Sequence, residues 1–249
     1  MTLPSSGPLS LSDIQGEFGG SNPISLSEYY AGGAYVPPGT SGTYGAVPSS
    51  GAIGIRNFYG TTKFTPVTNT YTTGSGNETV PTGATSLTLT VVGAGGSGGS
   101  SYVDFGSDIY NSGGGGGGAG YSNITRAVAS GDWSTTIAYS VGTSGGVSST
   151  TTGSLAAGAV SLTGGGGGAG GSADSGSGGA GGTAGTASGG STNTSGSAGG
   201  NGSTSSSSGN AGGAGGASGG TAYGTGGDGA SAPGTSGAVG GGVIIFAWT

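Results

Sequence analysis

The densest group of chemically capable side chains lies in residues 101–111, a segment flanked on both sides by glycine runs. Tyr102, Phe105 and Tyr110 offer flat apolar faces, and Asp104, Asp108 and Asn111 offer carboxylate and amide groups beside them. Aromatic rings stack on sugar rings while nearby carboxylates or amides orient hydroxyls, so a few such residues can dominate binding. The segment is therefore a candidate recognition loop. The competing reading is a loop whose aromatics cover a nearby strand cluster. Paired carboxylates could in principle serve glycoside hydrolysis, but no other polar machinery accompanies these two. Tyr223 and the polar stretches 188–195 and 203–210 are weaker recognition candidates.

The rest of the chain narrows the chemistry further. There is no His and no Cys. That removes the commonest general base, the commonest metal ligand, disulfides and thiolate chemistry. Arg56, Lys63 and Arg126 are the only basic side chains against 9 acidic ones, giving a net charge of -6. A nucleic-acid partner needs a basic footprint, and none is available. The many G-x-G-x-x-G matches are expected by chance at 69 Gly in 249 residues, and no Gly-Lys-Ser/Thr phosphate loop occurs. Asp228 sits in a single copy of a calcium-repeat-like pattern, and one carboxylate is not a site. Neither a cofactor nor a metal is expected, and the reading is non-enzymatic. No apolar stretch is long enough for a membrane-spanning helix, and the N-terminus lacks the pattern of a secretory signal.

Two regions are expected to position these residues. Residues 1–63 contain an internal echo: Pro, then alternating aliphatic and small residues, then an acid or Asn before an apolar anchor. It runs through Leu9–Ile14, again through Ile24–Tyr30, and again through Ile53–Phe58. Ser10 to Asp13 and Ser25 to Glu28 have capping-box spacing. Each copy predicts an extended piece entering a helical turn, with turns ending at Gly16, Gly32 and Gly60. Leu11, Ile14, Phe18, Ile24, Leu26, Tyr29, Ile55 and Phe58 form the predicted mini-core, and 34–50 is a loop. So small a module is best stabilised by docking onto a neighbour.

Residues 64–249 are predicted to be a glycine-rich β domain. A turn is expected at Gly74–Asn77 and another at Val80–Ala84. Leu87, Leu89 and Val91 alternate with polar residues, as do Ile137, Tyr139 and Val141, and Val243–Trp248 is a continuous apolar strand. These strands should gather both ends of the glycine region. Glycine tracts default to flexible linkers, and ordering them costs more entropy than ordering any other residue. A period of three offers an ordered alternative. Ala94, Ser97 and Ser100 are separated by Gly pairs, as are Ser177, Ala180 and Thr183, and Ala211, Ala214 and Ala217. Three residues per turn is the polyproline-II repeat. Rods of that kind can pair backbones where two faces carry only hydrogen, with the third small residue toward solvent. In the middle of a bundle all faces need Gly, which suits 113–118 and 164–168. The fold class is thus mainly β and irregular: an N-terminal module with short helical turns, then polyproline-II rods gathered by short strands.

Val80-Pro81-Thr82-Gly83-Ala84, the strand that follows, and Val92-Gly93-Ala94-Gly95-Gly96 resemble the opening of glycine-rich domains in tail fibre and adhesin proteins of tailed bacteriophages. Gly118–Tyr121, Tyr139–Gly142 and Gly242–Ile245 fit the same layout, and Leu9–Ile14 with Ile24–Tyr30 resemble modules that begin phage virion structural proteins. Together with a Gly/Ser/Thr-rich, charge-poor composition that lacks a secretory signal, the resemblance implies a virion location, with the protein made in host cytoplasm and released by lysis. It is consistent with a docking module in residues 1–63, built on Leu11, Ile14, Phe18, Leu26, Tyr29, Ile55 and Phe58, that attaches the protein to other virion proteins. It also implies distal loops that touch a host-surface glycan or outer-membrane protein, and is compatible with a homotrimer. A purely structural head, neck or baseplate fibre, and a non-viral surface or ice-binding protein, are the alternatives.

Overall fold

The computed structural model describes residues 2–143, 146–206, 211–219 and 222–249. Helix α1 (Leu11–Phe18) opens on the expected capping box: Asp13 N–H donates to Ser10 Oγ at 3.2 Å, and Ser10 N–H donates to Asp13 Oδ2 at 2.8 Å. The hydrogen bonds from Ser10 hold the Asp13 carboxyl below its ordinary pKa. Gly16 does not end the helix. Ile14 and Phe18, four residues apart, both bury completely, which carries the helix one turn further, to Gly19 at φ 89°. The second copy forms a 3-10 turn, Leu26–Glu28, in which Ser25 Oγ accepts from Ser27 N–H at 3.3 Å. The capping box expected with Glu28 is absent because the tighter turn brings a different donor to the hydroxyl. The third copy is the 3-10 turn Ile55–Phe58, followed by Gly60 at φ 71°.

The mini-core is real. Ile14, Phe18, Tyr29 and Phe58 are buried with Leu3, Ala31, Val36 and Val47, while Leu11, Leu26 and Ile55 pack on its rim. Ile24 is half-buried and lies outside the cluster. Within the 34–50 loop, β1 (Ser41–Gly42) and β2 (Gly45–Ala46) form a small hairpin. The module closes on itself: Leu3 N–H donates to Thr61 O at 2.9 Å. Lys63 Nζ donates to Phe18 O at 3.0 Å, a cation at the negative end of α1.

Beyond Lys63 two five-stranded antiparallel sheets face each other. The strands of the first are β3 (Val67–Tyr71), β5 (Ser86–Val92), β8 (Tyr121–Ala127), β15 (Thr192–Thr194) and β16 (Val243–Trp248), in the order β15-β8-β5-β16-β3. The second contains β4 (Ser75–Thr79), β9 (Thr136–Ser140), β10 (Ser149–Thr152), β13 (Thr163–Gly164) and β14 (Ala187–Ser188), in the order β14-β13-β10-β9-β4. Outside them are the hairpins β6 (Tyr102–Asp104) with β7 (Ile109–Asn111), and β11 (Ser154–Leu155) with β12 (Gly158–Ala159). The turn predicted at Gly74–Asn77 is instead the single Gly74 at φ 79° leading into β4. Leu87, Leu89 and Val91 from β5, with Ile244, Phe246 and Trp248 from β16, meet Ile137, Val141 and Leu162 from the other side. β16 pairs with β5 and β3 at once; Ile244, Phe246 and Trp248 pack in the main core while Val243 and Ile245 pack with Val92, Ala119 and Tyr121, so the strand reads as a continuous apolar run. Glu78 is buried in this layer and is fully supplied with donors. Asn69 Nδ2 and Trp248 Nε1 donate to Oε1 at 2.7 and 2.9 Å, and Tyr71 OH donates to Oε2 at 2.7 Å.

The sandwich has two distinct ends. Thr85 N–H donates to Thr249 O at 2.7 Å and Val128 N–H donates to Thr85 O at 2.8 Å, so β5 starts where β8 and β16 finish. The N-terminal module abuts this end, across a cavity between Thr40 and Gly60 on one side and Thr82 and Trp133 on the other. At the opposite end Val92, Tyr121 and Val243 open into the glycine segments.

Those segments form a bundle around residues 112–120. Gly113, Gly116 and Ala119 donate their N–H groups to the carbonyls of Ala230, Gly227 and Gly224. Gly114, Gly117 and Gly120 donate to Gly171, Gly168 and Gly165, and Gly115 and Gly118 donate to Gly200 and Ser197. The carbonyls follow the same period. Gly99, Gly96 and Gly93 donate to the oxygens of residues 114, 117 and 120; Gly179, Gly182 and Gly185 donate to 112, 115 and 118; Gly213, Gly216 and Gly219 donate to 113, 116 and 119. One central segment is thus bonded to six others, with a three-residue repeat. Neighbours on the ring bond each other as well, for example Gly171 N–H to Ala180 O and Gly200 N–H to Ala214 O.

Glycine is required in the centre for space and not for dihedral freedom. Residues 113–118 are absent from the glycines with positive φ. A Cβ on Gly114, Gly115 or Gly116 would collide with the carbonyl oxygen of Ala180, Ala214 or Gly96 respectively. The expectation of a central position holds for 113–118, which are buried throughout. It fails for 164–168, an outer segment bonded to the central one on one side and to Thr183 and Thr186 on another, in which Gly165, Gly166 and Gly168 are only half-buried. Ala180, Thr183, Ala211, Ala214 and Ala217 do face solvent, but Ala94 is fully buried at the joint with the sandwich.

Candidate functional site: the tip of the glycine bundle

Each outward-running segment must turn back, and the turns collect at one place. The hairpin β6–β7 joins 93–100 to the central segment. A turn at 174–178 joins 165–173 to 179–186, residues 203–206 follow 196–202, and 231–236 follows 224–230. Tyr110 N–H donates to Ser205 O at 2.9 Å, and Asn111 Nδ2 donates to Asp174 O at 2.6 Å. Ser112 N–H donates to Ser203 O at 3.0 Å, and Ser101 Oγ reaches Gly234 O at 3.5 Å. These bonds tie the four turns into one surface, at the end of the bundle remote from the sandwich.

The candidate residues occupy it unevenly. Phe105 is 75% exposed, with its ring edge-on to Tyr110 at 6.0 Å between centroids. Tyr102 and Tyr110 are half-buried on the flanks of the hairpin. None of these aromatics joins the cluster built on Leu87, Leu89 and Val91, because the whole length of the glycine segments separates them. Asp104 Oδ1 accepts from Gly106 N–H at 2.9 Å, and this bond, with others from Ser107, holds the carboxyl below its ordinary pKa. Asp108 sits at the hairpin turn with φ 51°, a left-handed conformation that Asp tolerates better than most residues.

Asn111 departs from its expected role. It is buried, and its amide locks the 174–178 turn to the hairpin. Tyr223 departs from it too: it lies beside Gly224, whose N–H bonds Gly241 next to β16, at the sandwich end. Residues 188–195 contain β14 and β15 ends and belong to the sheets. Of 203–210, residues 203–206 lie at the tip and 207–210 are outside the described residues.

Sequence reading missed Asp174 and Ser175. Asp174 Oδ1 accepts from the N–H groups of Gly176 and Ser177, both at 2.8 Å, which lowers its pKa. The signal was there: a lone acid followed by Ser-Gly-Ser between glycine runs marks an Asx-type turn. Between the hairpin and the two neighbouring turns lies an open cleft of about 340 Å³, lined by Ser107, Asp108, Asn111, Ser175, Thr204 and Ser205 among others. Its walls offer hydroxyls and a carboxylate, suited to hydrogen bonding. Asp228, singled out in the sequence, instead accepts from Gly215 N–H at 2.7 Å and braces two segments. No group of His, Cys, Asp or Glu able to hold a metal occurs among the described residues. No protein-family model matches the chain, and no curated protein matches it.

Proposed function

We propose that the protein is a non-enzymatic adhesin of a tailed-phage virion, a tail fibre or tail-tip component. On this reading residues 1–63 dock it to other virion proteins, and the tip of residues 64–249 binds a host-surface receptor. The observation that carries it is the polarity of the molecule: module, sandwich, glycine bundle and clustered turns follow one another along one direction. The bundle's segments take the role of polyproline-II rods, each roughly 3.1 Å long per residue, a stalk almost without side chains. Specificity must then reside in the turns, where Phe105, Asp108 and the cleft are found. The module has two features that suit docking, its own core and an exposed Tyr44 stacked by Arg56 at 4.4 Å.

The test replaces Tyr102, Phe105 and Tyr110 with Ala in intact particles. Adsorption to host cells falls at least tenfold while particle yield stays normal. Normal adsorption by well-assembled particles moves the assignment to a purely structural fibre.

A further inference from the structure

The tip has a charge character that selects among receptors. Asp104, Asp108 and Asp174 all lie on it. The chain's basic side chains are elsewhere: Arg56 stacks on Tyr44 in the module, Lys63 caps α1, and Arg126 is in β8. Residues 203–206 add only Ser and Thr. An anionic ligand would meet like charge with no compensating cation, which is unfavourable at short range and is how partners are rejected. The cleft, by contrast, presents Ser and Thr hydroxyls with the Asp108 carboxylate, and its volume falls within the roughly 300–1,000 Å³ of small-ligand sites. Phe105 supplies an exposed ring on the same hairpin, available to the apolar face of a sugar.

We propose that the tip cleft binds a neutral polysaccharide, with sugar hydroxyls meeting Asp108, Ser175 and Thr204 and a ring face on Phe105, and that it excludes acidic glycans. This rests on the reading of the tip as the adhesive end. An outer-membrane protein receptor is the outcome that opposes it.

The full chain is tested by interferometry on immobilised dextran, mannan and galactan, and on dextran sulfate and alginate. At least one neutral polymer binds, and neither acidic polymer does. Ser175→Trp, which fills the cleft from an exposed turn position, and Phe105→Ala each weaken that binding at least tenfold with an unchanged melting temperature. Binding to the acidic polymers, binding indifferent to both substitutions, or binding to none of the neutral polymers overturns the inference. Host-cell adsorption separates its failure from that of the adhesive reading. If both substitutions abolish adsorption yet periodate oxidation of the cell surface leaves it intact, the receptor is protein and only the glycan assignment falls. If neither substitution affects adsorption, the tip is not the adhesive end.

Discussion

Gly115 and Ala214 face each other in opposite senses: a Cβ on Gly115 would run into the carbonyl oxygen of Ala214, whereas the methyl of Ala214 points to solvent. The two positions therefore answer differently to substitution. Gly115→Val forces backbones apart, with an overpacking cost of about 3 kcal/mol, or roughly 6–12 °C in melting temperature for a chain of this size. Ala214→Ser stays within about 0.5 kcal/mol. Thermal denaturation of both variants checks this, and equal losses would contradict the assigned faces.

Gly166 offers a milder version of the same experiment. It is in an outer segment, and a Cβ there meets the carbonyl of Gly146 in a connecting turn. A turn can shift where a central lattice cannot. Gly166→Val is expected to cost less than Gly115→Val, measured side by side by chemical denaturation.

The Tyr71–Glu78 bond makes an alkaline prediction. Hydrogen bonding to Glu78, then burial, raises the Tyr71 pKa well above its ordinary value near 10. A raised folded-state pKa means that the unfolded chain loses this proton first. The stabilisation is complete below about pH 10 and is lost as pH rises through the folded pKa. Tyr71→Phe should lower stability at neutral pH and flatten its decline above pH 10, as followed by circular dichroism across a pH series.

Helix α1 offers a local probe of the module. Ser10→Ala removes the hydroxyl that caps Asp13 N–H and should cost about 1 kcal/mol. Because the module has its own core, the loss should appear in hydrogen exchange of residues 11–18 and leave the glycine bundle's protection unchanged.

Deleting residues 1–63 tests the docking role. Residues 64–249 should still fold, since Leu87, Phe246 and Trp248 bury against partners inside that segment, but incorporation into particles should cease. Truncated chain at normal copy number in purified particles would contradict it.

Periodic features were the legible ones. The alternation of Leu87, Leu89 and Val91, the apolar run Val243–Trp248 and the capping spacing of Ser10 and Asp13 each carry their geometry in local sequence. The three-residue rows likewise indicated which faces meet solvent. What escaped was set by partners distant in sequence. Nothing near Gly164 says that the centre is already taken by 113–118. Asn111 looks like an exposed polar group until Asp174, 63 residues away, accepts its amide. Tyr223 resembles a turn residue at a tip, and only the direction of each segment shows that it is at the other end. Ser75, Gly76 and Asn77 are turn formers and read locally as a turn; pairing with β9 outweighs that preference and makes them part of β4.

In an ordinary core, a changed loop must be accommodated by side chains that already fit one another. Here residues 112–120 are held by bonds from one peptide group to another, and those bonds are identical whatever amino acid occupies a distal turn. Substitutions at residues 103–108, 174–177 or 231–236 therefore leave the backbone bonds of the bundle in place. Such a scaffold lets the surface of the tip change rapidly while the bundle beneath it stays fixed, provided that the repeat of three is kept in step along every segment.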